Sequence, residues 1–279
     1  MAIHSTSIIH SNAHIHPSGQ IGPYTIIESG VVIAENPIIG AHCIITGNTK
    51  IGRNNRFFQF CSIGEEPQDI SYQNEPTQLV IGDNNIFREF VTVHRGTTKD
   101  KALTSIGDDN LFMNYCHIAH DCVIANHVIM ANASQHRGHV IIGDHVKLGG
   151  GTAVHQFCQI GEHAFTGGGS IVTQDIPPYC LAQGDRAKIH GLNQIGLSRS
   201  GFSEHSIKSL KKNYMYLFGK SQHLNFAERL SLAFSLIDNT SANAHLAEEH
   251  KLLRTIDFTD VHVKKFITFV KNSPRGICR

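Results

Sequence analysis

The chain has 279 residues, 41% of them hydrophobic, with 24 Lys+Arg against 23 Asp+Glu; that is apolar material for one or two cores and no basic excess of the kind that would imply nucleic acid as a partner. No apolar run approaches the roughly 18 residues that span a bilayer, and the opening MAIHSTSIIHSNAHIHPSG has no basic segment followed by an apolar one, so no transmembrane segment is expected and a cytoplasmic location is. Residues 1–194 carry 11 Lys+Arg against 16 Asp+Glu, a net of −5, while residues 195–279 carry 13 against 7, a net of +6, a basic C-terminal part suited to an acidic partner.

From Ile3 onward every sixth residue is large and apolar: Ile9, Ile15, Ile21, Ile27, Ile33, Ile39, Ile45, Ile51, Phe57 and Ile63. The pattern returns at Ile81, Phe87 and Val93, shifts by one residue, and runs from Ile106 to Val172 with only His136 and Thr166 polar. A period of six fits neither a helix at about 3.6 nor a half-buried strand at 2. It fits a chain that turns a corner every hexad, so that three hexads close a triangular coil and parallel strands stack about 4.8 Å apart. The apolar residue fills the axis, and the residue four further on shares that interior. It is small or β-branched, as at Cys43, Thr49, Cys61, Val91, Cys116, Cys122 and Cys158. Five of the seven cysteines are thereby placed as interior packing, and with no C-x-x-C a disulfide framework or zinc cage is not expected. Glycine follows the apolar residue repeatedly, as in Ile21-Gly22, Ile81-Gly82 and Ile142-Gly143, where a corner with unusual φ is expected. This pattern predicts an all-β left-handed parallel β-helix of hexapeptide repeats over residues 1–190, followed by an α-helical C-terminal domain over 191–279.

Two stretches interrupt the repeat. Residues 64–80 lack the apolar hexad, although Ile63 and Ile81 are eighteen apart, one coil's worth; residues 94–105 (HRGTTKDKALTS) are polar and change the phase, so a loop leaves the coil there. After Pro177-Pro178 the pattern becomes helical. Ile207, Leu210, Tyr214, Leu217 and Phe218 form one stripe, Asn225-x-x-Glu228 reads as a capping box, and Val263, Phe266, Ile267 and Val270 form a second stripe. Such a cap covers the open end of a β-helix.

Residues eighteen apart stack on one face, which gathers His120, Gly138 and Gln156 into a column beside His139 and His155, with His117 at the preceding corner and His94 at the mouth of the loop. These are expected at the surface, and a convergent set of histidines next to an excursion loop points to chemistry. Most of the 20 histidines, His10, His42, His127 and His145 among them, are expected to be solvent-facing decoration. Three readings are open for the column. His117-x-x-His120 and His136-x-x-His139 could ligate zinc, as in a γ-class carbonic anhydrase. An acyl-transfer site fits better, with His120 as base, the Gly138 N–H as oxyanion donor and Gln156 and His139 as clamps; no G-x-S-x-G elbow is present, so a substrate hydroxyl attacks directly. A non-catalytic scaffold is the third.

The motifs HIAHDC at 117–122, VTVHRGT at 91–97, TAVHQFC at 152–158, the QD pair at 68–69 and GLNQIGLSRSGFS at 191–203 resemble the UDP-N-acetylglucosamine 3-O-acyltransferases that open lipid A synthesis. The resemblance covers nearly the whole chain. It implies a homotrimer with sites in the clefts between neighbouring β-helices, no cofactor or metal, and transfer of a 3-hydroxyacyl group from acyl carrier protein to a UDP-sugar acceptor. It further implies His120 as general base with Asp121 orienting it, Gly138 as oxyanion donor, and His117 and His139 lining the substrate sites. His155 and Gln156 would contact the donor arm or sugar, Asp69 and His94 the sugar or acyl chain, and Asn193 and Arg199 the nucleotide end. Gly168 falls where the family limits acyl length, and its small size implies a long chain. Two positions depart from the family pattern: Ser71 stands where a lysine is usual and Ile195 where a glutamate is usual, leaving open whether the acceptor carries a 3-hydroxyl or a 3-amino group. The basic residues Lys208, Lys211, Lys212, Lys220, Lys264 and Lys265 suit docking of the acidic carrier protein.

Overall fold

The computed structural model describes residues 2–219, 224–237 and 253–279. Short strands, most of two residues, recur at each hexad from Ala2–Ile3 to Ile171–Val172, and each pairs in parallel with its counterpart one coil away, as Ile129↔Lys147 and Met130↔Leu148 do. Successive hexads visit three sheets of 11, 9 and 8 strands in rotation, giving the left-handed parallel β-helix. The hexad residues fill the axis: Ile27, Ile45, Ile63, Phe87, Phe112 and Ile118 are fully buried, and Cys43, Val91, Cys122, Val128 and Ala164 share that interior. Each such isoleucine or phenylalanine contributes about 1.5–3 kcal/mol by leaving water, so the repeat itself is the main source of the rod's stability. All seven cysteines are free and buried.

The glycines after the apolar residue have a different cause from the one expected. None of Gly22, Gly82 and Gly143 has a positive φ; a Cβ there would meet the next coil, 2.8 Å from Gly40 C, 2.1 Å from Asp108 Oδ1 and 2.7 Å from Glu162 N. The left-handed conformation falls two residues later, on side chains rather than on glycine. Tyr24, His42, Phe60, Phe90 and Tyr115 all have φ between 56° and 64° and stack in a continuous column with centroids 4.9–5.1 Å apart. That stacking, and a second column of His127, His145 and His163, offsets the roughly 1–2 kcal/mol cost of left-handed backbone. Several histidines expected to be unpartnered are therefore corner-stacking residues. Inside the rod Asn55, Asn85 and Asn110 form a buried ladder: Asn85 N donates to Asn55 Oδ1 and Asn110 N to Asn85 Oδ1, both at 2.9 Å, which satisfies corner amides away from water.

The first interruption is larger than its spacing suggested. Ile81 pairs with Ile51 and with Ile106, not with Ile63, which lies in another sheet. Ile63 to Ile81 is thus one hexad step carrying an insertion, and the match to a coil's length is coincidental. The polar stretch near 94–105 also leaves the coil, as expected, and rejoins it through the strand Leu103–Ile106.

Beyond the last coil, strands Cys180–Gln183 and Lys188–Leu192 pair antiparallel, followed by α1 (Gln194–Arg199), α2 (Glu204–Phe218), α3 (Phe226–Ile237) and α4 (Val261–Asn272). The capping box at α3 forms, with Asn225 N donating to Glu228 Oε2 at 2.8 Å and Glu228 N to Asn225 Oδ1 at 3.0 Å. The predicted stripe of α4 is wholly buried, as are Leu210 and Leu217 of α2. Buried Asp175 ties the C-terminal tail to the rod: Asp175 N donates to Gly276 O, Cys278 N donates to Asp175 O, and Ser273 Oγ donates to Asp175 Oδ2 at 2.6 Å.

Candidate active site

The rod's register places His120 and Asp121 on one coil and Gly138 and His139 on the next, with His139 N donating to His120 O at 3.1 Å. His120 Nδ1 lies 2.8 Å from Asp121 Oδ2. The same carboxylate accepts from Thr97 N at 2.8 Å and Thr97 Oγ1 at 2.7 Å, so the second excursion fixes the acid from across the corner. The Asp121 side chain is fully buried and those of His120 and His139 are only 14% and 13% exposed; the expectation of surface histidines fails here because the loop folds over them. Burial pushes the Asp121 carboxyl up, but the hydrogen bonds from His120 and Thr97 outweigh it and hold the group below its ordinary value. An ionised carboxylate only accepts, so His120 carries its proton on Nδ1 and leaves Nε2 as a base. The His120 and His139 rings meet edge to face at 5.3 Å, and His139 stacks on Phe157 at 4.5 Å.

Gly138 is a packing necessity. A Cβ there would lie 2.4 Å from His120 Cε1 and 2.8 Å from Nε2. Its N–H has no acceptor among the described residues. His120, Gly138 and Gln156 share one pocket of about 550 Å³ with His117 and His155, and Gln68 of the first excursion closes it. Spacing thus brings His120, Gly138, Gln156 and His155 together as expected, whereas His139, expected beside them, does not line the pocket.

His117 lines the pocket and His94 stands behind it without lining the pocket, their rings edge to face at 5.2 Å. His117 Nδ1 pairs with Thr92 Oγ1 at 2.8 Å, and His94 Nδ1 with Glu66 O. Desolvation, aided by the neighbouring imidazoles, lowers His117 to about 4 and also lowers His94, so both are neutral near pH 7. Asp69 accepts from Lys99 Nζ at 2.6 Å and from Ser71 N and Oγ at 2.9 and 2.8 Å, which holds its carboxyl well below the usual range, Lys99 being the main cause. Lys99 of the second excursion thus supplies a cation beside Asp69 where Ser71 does not.

Three predicted residues lie elsewhere in the chain. Gly168 sits exposed at a corner, and a Cβ there would meet only Gly150 O at 3.4 Å. Asn193 caps α1, accepting from Gly196 N at 3.1 Å and donating to His163 O at 3.1 Å, and Arg199 is exposed in that helix's last turn. None of the three lines the histidine pocket of the same chain. Sequence reasoning missed Thr97, Lys99, Gln68 and Arg137, although Thr97 and Gln68 fall inside the quoted motifs.

His120, Asp121 and His139 offer three ligand atoms within 4.8 Å of one another. The zinc arrangement considered from the sequence also needed His136, and that residue turns into the core, fully buried, with neither ring nitrogen partnered among the described residues. Asp121, moreover, already accepts from Thr97 and His120. The described helices include none long and apolar enough to cross a membrane.

Residues 175–278 match the family described as UDP-N-acetylglucosamine O-acyltransferase, domain 2. Over the whole chain the fold is similar to that of LpxA from Acinetobacter baumannii, with 39% identity, complete coverage of both chains and a TM-score of 0.87. It is similar also to LpxA, a UDP-N-acetylglucosamine acyltransferase from Bacteroides fragilis, with 32% identity, 99% and 100% coverage and a TM-score of 0.88. The Arabidopsis UDP-N-acetylglucosamine acyltransferase matches at 33% identity, 99% and 100% coverage and a TM-score of 0.82. The excursions, the histidine column and the helical cap thus occur in one continuous architecture, and the chain belongs to the UDP-N-acetylglucosamine O-acyltransferase family.

Proposed function

We propose that this protein transfers a 3-hydroxyacyl group from acyl carrier protein to the 3-position of UDP-N-acetylglucosamine, the first step of lipid A synthesis, with His120 as general base. The observation that carries the reading is the His120–Asp121 pair at 2.8 Å against Gly138 in a shared pocket. His120 Nε2 takes the proton from the acceptor's 3-substituent as its lone pair attacks the thioester carbonyl carbon. The tetrahedral oxyanion accepts from the Gly138 N–H, the carbon–sulfur bond breaks, and the imidazolium returns the proton to the departing thiolate. Asp121 keeps the tautomer fixed and stabilises the imidazolium while it lasts; general-base catalysis of this kind contributes about 10²–10⁴-fold. Because Asn193 and Arg199 lie away from the histidine pocket, they hold the nucleotide end from a neighbouring subunit of a homotrimer, and Gly168 leaves room for a long acyl chain. Of the six lysines, exposed Lys211 and Lys264 have no acidic partner among the described residues and are offered for docking the carrier, whereas Lys208 and Lys265 pair with Glu204 and Glu162 and Lys212 donates to Thr255 O; Lys220 lies outside the described residues.

The test is His120→Ala, assayed with acyl carrier protein thioester and either UDP-N-acetylglucosamine or its 3-amino analogue. We expect kcat to fall by about 10²-fold or more with unfolding temperature and assembly unchanged. A variant that turns over normally ends this reading, and the comparison of acceptors identifies the 3-substituent.

A further inference from the structure

Among the described residues lining the His120 pocket there is one permanent cation, Arg137, and no carboxylate. Arg137 lies between inward-turned His136 and Gly138, so strand alternation sends its side chain outward onto the pocket wall, where it is exposed. Its backbone is engaged, with N donating to Val154 O at 3.0 Å and O accepting from Cys122 Sγ at 3.3 Å. Its guanidinium is not: no acceptor reaches it among the described residues. Three other arginines of the rod are paired with acids, Arg53 with Glu35 at 2.7 Å, Arg88 with Glu89 at 3.0 Å and Arg95 with Glu66 at 3.3 Å, and Arg56 lies over the Phe58 ring at 4.5 Å.

A planar fork of five N–H donors, always charged and facing a concavity whose other polar groups are imidazoles, amides and a hydroxyl, selects an oxyanion able to accept two bonds at once. On the acyl-transfer reading both substrates carry such a group: the diphosphate of the sugar nucleotide and the phosphodiester of the carrier's pantetheine arm. We propose that Arg137 is an anion-binding residue of this site that grips a substrate phosphate, and so sets how deeply that substrate enters beside the Gly138 peptide. The proposal rests on the acyl-transfer reading only for the identity of the phosphate.

The test measures binding by calorimetry on the full-length protein and its R137Q and R137K variants. Two ligand pairs are used: UDP against uridine, and an acyl-phosphopantetheine against the corresponding acyl-pantetheine. In one pair the phosphate-bearing member is expected to bind R137Q about tenfold more weakly, the phosphate-free member to be unchanged, and R137K to recover part of the loss. The pair that responds names the source of the phosphate. Affinities all within about twofold of wild type, or an equal loss for the phosphate-free ligands, would overturn the assignment, since a merely structural arginine does not distinguish members of a pair. Binding is read without turnover, so an inactive wild-type protein would refute the acyl-transfer reading while leaving this result to stand or fall alone.

Discussion

Gly138→Ala separates a packing role from a catalytic one at the centre of the site. The added Cβ would sit 2.4 Å from His120 Cε1, whereas carbons in contact rest at about 3.5–4.0 Å, so the ring must retreat by roughly 1 Å. It has little freedom to do so: Nδ1 is held by Asp121 at 2.8 Å and His139 stands edge-on at 5.3 Å. The backbone itself accepts alanine, because φ at 138 is not positive, and the disturbance is confined to the imidazole. A displacement of about 1 Å in a reacting group costs about 10²-fold, so kcat should fall by that factor with KM and unfolding temperature little changed. Steady-state kinetics with the carrier-bound donor, alongside thermal melts, would read this. The double variant with His120→Ala should be no slower than His120→Ala alone, because both changes disable one base. Retention of kcat within about threefold, or losses that multiply in the double variant, would refute the reasoning.

Asp121→Asn leaves the shape intact but offers His120 an amide in place of an ion. We expect kcat to drop by roughly 10²–10⁴-fold, as when a base loses its orienting carboxylate; an unchanged pH–rate profile and rate would exclude Asp121 from that task. His136→Leu should stabilise the fold. The ring packs between Ile118 and Val154 with two unpartnered nitrogens, and a buried unsatisfied polar group costs about 1–3 kcal/mol. Burial lowers His136 from 6.5 to about 3. The unfolded chain therefore binds the proton first, and wild-type stability is fully present above 6.5 and falls as pH drops toward about 3, by at most about 1.4 kcal/mol per pH unit. The leucine variant should lack this slope in urea titrations at pH 7.5 and 5.5; parallel losses in both proteins would count against it.

How much of this could be read from the sequence depended on whether a feature's cause lay within one coil or between coils. The axis residues were legible because a period of six has one geometric solution, and the capping box at Asn225 because its bonds span three residues. The glycines were located but misexplained: the reason Gly82 cannot be larger is Asp108 Oδ1, 2.1 Å from a Cβ, a residue of the next coil. The spacing of Ile63 and Ile81 misled because eighteen is also the length of an inserted step. Thr97 was invisible as the partner of Asp121 because the loop's path carries no periodicity, and Arg137 drew no notice because its meaning lies in a pocket with no carboxylate among its described lining residues.

The site's division of labour follows from the same distinction. Adjacent coils are about 4.8 Å apart whatever their side chains, and the 5.3 Å between the His120 and His139 centroids is close to that ladder spacing. The rod therefore sets the separation of these two imidazoles. What the rod cannot supply is a protonation state, since outward positions on a regular coil face water and leave a carboxylate and an imidazole solvated. The excursions supply it: Thr97 donates twice to Asp121, and the first loop brings Gln68 to the pocket and Glu66 O to His94. A regular β-helix with the same histidines would hold them at the same distances, but His120 would lack the buried, hydrogen-bonded carboxylate that fixes Nε2 as the base.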